Sequence, residues 1–162
     1  MSSANTESEA TPDPVADPVA APAESLPHGI VLHHFDTGRI CCEMPYEHGV
    51  LQGVGKMYYT TGGLYATETY ARNVLNGPTK LHYPEGVPQA ELEYVDGLLE
   101  GTVKEYYPTG VLESVSEYLK GKKNGVSLVY DEAGTLKARE TYVDDSLTAT
   151  APPDRDPPAS AT

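Results

Sequence analysis

The stretch GTVKEYYPTGVLESVSEYLKGKKNG, Gly101 to Gly125, decides the fold. A glycine opens it, and the pair Tyr106-Tyr107, the dipeptide Thr109-Gly110, a lone Tyr118 and the dipeptide Lys120-Gly121 follow. Gly125 then starts the series again. Read outward in both directions, the pattern recurs every 24 residues. Gly29, Gly53, Gly77, Gly101 and Gly125 open five units, 29–52, 53–76, 77–100, 101–124 and 125–148. Gly38, Gly62, Gly86, Gly110 and Gly134 stand nine residues on, and Tyr46, Tyr70, Tyr94, Tyr118 and Tyr142 seventeen on. The twentieth offset holds Gly49, Gly97 and Gly121, with Asn73 and Asp145 in the remaining units. These columns take thirteen of the fifteen glycines, so the chain is organised by internal repetition.

The dipeptides ending in the second and fourth columns sit between runs rich in β-formers. Two central residues, the second of them Gly, Asn or Asp, suit two-residue hairpin turns that need positive φ. Each unit is therefore expected to be a hairpin joined to the next by another tight turn. The fold class follows: all-β, five 24-residue hairpin units in an elongated, twisted, single-layer antiparallel meander of about ten strands.

Two-residue turns fix which residues face each other. Around Thr109-Gly110 they pair Tyr107 with Leu112, Lys104 with Val115 and Gly101 with Tyr118. Every unit-opening glycine then lies opposite its unit's lone tyrosine, and the ring is expected to fill the room that the glycine leaves. One face carries Val103, Tyr107, Leu112, Ser114 and Tyr118 and their equivalents. The other holds Lys56, Lys80 and Lys104 among Glu91, Glu93, Glu113 and Glu117, with Lys80 opposite Glu91. It also holds an aromatic stripe: His34, Tyr58, His82, Tyr106 and Tyr130. Tyr65 is expected directly across from Tyr58 on that face.

Outside the repeats, 1–28 is an acidic Pro/Ala-rich segment and 149–162 is similar, and both are expected to be disordered tails. The chain has 162 residues, 12 tyrosines, one phenylalanine and no tryptophan, so a thin tyrosine-lined fold is expected rather than a thick core. A formal charge of −13 argues against nucleic acid or an anionic membrane and favours a basic partner. Cys41 and Cys42 are adjacent, which offers no disulfide framework. The first 28 residues lack Lys, Arg and any apolar run, so they do not read as a secretory signal, and a cytoplasmic location is expected.

The columns G-x-x-x-x-Y-Y-P-x-G-x-L and Y-x-x-G-x-x-x-G resemble the MORN-repeat superfamily. More closely, they resemble the bacterial variant in antitoxin or immunity proteins of the YwqK family. The resemblance covers residues 29–148 and is best in the middle three units. His34-Phe35 and Tyr130-Asp131 replace the tyrosine pair at the ends, as expected of terminal units that meet solvent. The resemblance implies a β-array used as a binding surface and, in some relatives, neutralisation of a toxin encoded alongside.

Catalytic chemistry finds little support. His28, His33, His34, Cys41, Cys42, Glu43 and His48 gather in the first unit, and the expected register faces His34 with Cys41. There is no C-x-x-C or H-x-x-x-H, and other units fill the same columns with His, Tyr, Ala or Ser. No metal, cofactor or catalytic residue is therefore expected. The lysine column reads as a solvated face balanced by acids, or alternatively as a ladder for lipid headgroups. The partner-binding residues expected are His34, Tyr58, Tyr65, His82, Tyr106 and Tyr130, because tyrosine supplies contact area at low entropic cost. The expected function is a non-enzymatic protein-binding module, an antitoxin or immunity protein that occludes a basic toxin or effector. The alternatives are a MORN-type scaffold on membrane lipid or cytoskeleton, and a metal-dependent site in the first repeat.

Overall fold

A computed structural model describes residues 26–153. The segments read as disordered tails lie largely outside these residues. Within them the chain forms one open antiparallel sheet of fourteen assigned strands and no helix. The strands are β1 (Gly29–His34), β2 (Ile40–Glu47), β3 (Val50–Leu51), β4 (Gly53–Tyr58), β5 (Leu64–Ala71), β6 (Val74–Leu75) and β7 (Gly77–His82). There follow β8 (Pro88–Val95), β9 (Leu98–Leu99), β10 (Gly101–Tyr106), β11 (Leu112–Leu119), β12 (Lys122–Tyr130), β13 (Leu136–Val143) and β14 (Ser146–Ala151). Strands β3, β6 and β9 are the first two residues of strands that bend into β4, β7 and β10; in β12 the same path is unbroken. The sheet is thus a meander of hairpins in sequence order, with β14 standing where a sixth unit would begin and pairing with β13.

The turns at the twentieth offset have two central residues, both left-handed. His48-Gly49 has φ of 50° and 83°, Arg72-Asn73 52° and 67°, and Asp144-Asp145 47° and 68°. That is the type I′ geometry, whose twist matches the strands it joins. Asn73 and Asp145 tolerate it without being glycine, and each gains a bond in return. Asn73 Oδ1 accepts from the Leu51 amide at 2.8 Å, and Asp145 Oδ1 from the Lys123 amide at 2.8 Å.

The other turns differ from expectation. The Tyr107 amide donates to Val111 O and the Gly110 amide to Tyr107 O, each at 2.8 Å, so the loop is Pro108-Thr109-Gly110. The left-handed glycine that closes the loop is common to all five units, whereas Asp36, Thr60 and Glu132 stand where Pro84 and Pro108 do; in those two units a two-residue turn would also ask proline for an amide proton that it lacks. Proline instead presets the turn, and the left-handed glycine closes it. All five units repeat these two bonds.

The longer loop shifts the register by one, and a β-bulge shifts it back. Cys41, Tyr65, Gln89, Glu113 and Lys137 are the extra residues, one per unit. Beyond the bulge the expected pairs hold: all five glycine–tyrosine pairs, Lys104 with Val115, and Lys80 with Glu91. Between bulge and turn they do not. Tyr106, not Tyr107, pairs with Leu112, and His34 pairs with Ile40 instead of Cys41. Tyr58 pairs with Leu64, while Tyr65 packs edge-on against Tyr59 with ring centroids 5.2 Å apart.

A single layer can bury only small side chains, and so it does. Besides Gly55, the most buried residues are Ala66, Ala90, Val103, Thr79, Ser114, Ser116 and Ser127. By pairing and alternation all seven lie on the face that carries the lone tyrosines. Ser116 and Ser127 satisfy each other there, Oγ to Oγ at 2.9 Å. Tyr70 donates to Glu68, and Tyr142 to Glu140 at 2.9 Å, so this tyrosine face is largely occupied by its own side chains.

Candidate functional site

The opposite, charged face is crossed by one continuous row. Cross-strand pairs run Leu32, Glu43, Lys56, Thr67, Lys80, Glu91, Lys104, Val115, Leu128 and Arg139. Lys56 lies 3.6 Å from Glu43, while Lys80 and Lys104 both lie 3.8 Å from Glu91. These pairs are well exposed, so each contributes at most about 1 kcal/mol. Their effect is to leave no unopposed lysine ladder in the row.

Five of the six expected contact residues fall on this face, beside the row. Tyr58 donates to Glu43 at 2.9 Å and Tyr106 to Glu91 at 3.4 Å. Burial, assisted by these carboxylates, raises both phenols above the ordinary tyrosine range. His34, His82 and Tyr130 continue the stripe. Tyr65 leaves it, because the bulge sends it to Tyr59. A shallow depression of about 390 Å³ opens between the first two units, lined by Arg39, Ile40, Glu43, Tyr58, Thr61 and Gly62.

The strongest feature of this face was not foreseen. Among the described residues, nine of the twelve exposed large apolar side chains lie on it: Ile30, Leu32, Val54, Val74, Val95, Leu98, Leu119, Val126 and Val143. Val95 pairs with Leu98 beside the type I′ turn, and they are 47% and 49% exposed. The signal was legible as apolar residues one position off the expected apolar face, yet the lysines and acids among them suggested a purely polar surface.

The units are also stitched together. Tyr59, Tyr83 and Tyr107 donate to the carbonyls of His82, Tyr106 and Tyr130 at 2.7, 2.8 and 2.8 Å, so each fixes the stripe residue of the next unit. A further column, His28, Gln52, Asn76, Glu100 and Asn124, reaches the turn twenty residues on. Where the turn begins with Arg72 or Lys120, Gln52 or Glu100 accepts its amide at 3.0 or 2.7 Å. Where it begins with Asp96 or Asp144, an asparagine donates to that carboxylate instead.

Among the described residues no three His, Cys, Asp or Glu side chains form a group arranged to hold a metal ion. Burial, with the neighbouring Cys41, pushes the Cys42 thiol up to about 11, the reverse of what an activated nucleophile needs. No helix of the described residues is long and apolar enough to cross a membrane.

No curated protein matches this chain in sequence. Residues 99–120 and 123–144 match the family described as MORN repeat variant; the two segments start one 24-residue unit apart, and they support placing this repeat in the MORN superfamily.

Proposed function

We propose that this chain is a non-enzymatic binding module, and more specifically an antitoxin or immunity protein that covers the active cleft of a basic toxin or effector. The observation that carries this reading is the unequal use of the two faces. The tyrosine face is filled by its own side chains, whereas the charged face carries a Tyr/His stripe on one side of its charged row and, Leu32 apart, its exposed aliphatic residues on the other. Such a mixture of apolar area and aromatic anchors suits a protein partner. The formal charge of −13 would speed the approach of a basic one. Lipid-headgroup binding is the weaker reading, since Lys56, Lys80 and Lys104 each already face a carboxylate.

The test is genetic. The reading frame beside this chain's gene is expressed alone and then together with this chain. Growth arrest in the first case and recovery in the second is the expected result. A harmless neighbour, or arrest that this chain fails to relieve, would remove the antitoxin reading.

A further inference from the structure

Neighbouring residues of a strand point to opposite faces, yet the Sγ atoms of Cys41 and Cys42 lie 3.8 Å apart. The bulge is the cause. His33 pairs with Cys42 and His34 with Ile40, so Cys41 is the extra residue and its side chain turns toward its neighbour's. The other units put Tyr65-Ala66, Gln89-Ala90, Glu113-Ser114 and Lys137-Ala138 at this bulge. The first unit places a pair of free, half-buried thiols there.

A second observation concerns the methionines. Met57 on β4 pairs directly with Cys42, so the two side chains share the tyrosine face. Met44 lies two residues along from Cys42 on the same face, its Sδ over Gly55. Apart from Met1, every sulfur of the chain is therefore gathered at one corner of the sheet.

The spacing suits chelation. Two sulfurs bound about 2.3 Å from a shared ion lie about 3.8 Å apart in a tetrahedral shell and about 4.0 Å apart in a trigonal one, so the pair needs to open only slightly to hold a three-coordinate ion. A zinc ion would need two further nitrogen, oxygen or thiolate ligands; His33 pairs with Cys42 from the other side and shares its face, but among the described residues no three His, Cys, Asp or Glu form a group arranged to hold a metal ion. Thiolate and thioether ligands together select monovalent copper. We propose that Cys41, Cys42 and Met57 form a binding site for Cu(I), with two thiolates chelating the ion and the thioether completing a sulfur-only shell. Three Cu–S bonds form, two as the thiols lose their protons to solvent and one from the thioether, which loses none, while the ligands that carried the ion depart; the copper stays monovalent and no electron moves. The spacing rules considered at the sequence level could not disclose this site, because it is the bulge that turns adjacent residues into a chelate.

The experiment is an anaerobic titration of the full chain with Cu(I) against bicinchoninate, repeated with Zn(II) against a chromophoric zinc chelator. One equivalent of Cu(I) withheld from the competitor is expected. Cys41→Ser and Cys42→Ala should each weaken it more than about 100-fold, and Met57→Leu about 10-fold. Cys42→Ala should still fold, since Ala66 and Ala90 fill that position in other units, and circular dichroism checks this. Failure to withhold copper, unchanged affinity in folded Cys42→Ala, or zinc held as tightly as copper would overturn the proposal.

Discussion

At Gly101 the backbone lies at φ 79°, and a Cβ added there would meet nothing within 4 Å. The glycine opposite Tyr118 is therefore needed for its conformation, where the sequence suggested room for a ring. Gly101→Ala should cost about 1–2 kcal/mol, read as a lowered midpoint in urea. Tyr107→Phe removes only the hydroxyl that reaches Tyr130 O and should cost about 1 kcal/mol. The tyrosines also set a limit in alkali. Burial foremost raises the phenols of Tyr58, Tyr59, Tyr70, Tyr106, Tyr107 and Tyr118. In the unfolded chain they ionise near pH 10. The folded state then holds more protons above that pH, so the stability these groups confer is complete below pH about 10 and declines above it. Tyrosinate absorbance should rise together with the loss of sheet circular dichroism; ionisation of these phenols near pH 10 in an intact sheet would contradict this.

The hairpins show how far the sequence could be read. Gly–Tyr pairing was legible because a three-residue loop and a bulge shift the register in opposite senses and cancel beyond the bulge. Between the two, nothing in the residue types announced the shift, and so Tyr65 was placed against Tyr58 instead of Tyr59. The terminal units were legible as deviant, though the reason for each substitution needed the structure. Phe35 has no hydroxyl to offer, and Arg39 bridges to the second unit through Thr60 O and Thr61 O at 3.1 and 3.0 Å. Asp131 has no phenol to offer either; it accepts from the Ala133 and Thr135 amides at 3.1 and 2.9 Å and pairs with Lys137 at 3.0 Å. The Lys137 hydrogen bond and these amides hold its carboxyl below the usual range. Asp131→Ala should speed amide exchange in the last hairpin and leave the second and third units unchanged. Equal acceleration along the whole chain would mean that the units are not independent in this way.

Over the whole molecule, repetition makes two surfaces of different character from one sequence pattern. Small residues and roofing tyrosines fill one face; the other keeps its aliphatic side chains in solvent, with the charged row separating most of them from the aromatic stripe. The alternation was legible, and so was the stripe of His34, Tyr58, His82, Tyr106 and Tyr130. The exposed aliphatics were passed over because they share their face with lysines and acids. The most direct test uses the full chain as bait in lysate of its native cell, alongside a Val95→Asp/Leu98→Asp variant of unchanged thermal midpoint. A stoichiometric basic protein is expected on the first bait and should be lost from the second. The same protein on both baits, or none specific to either, would contradict the claim that the charged face is the binding surface.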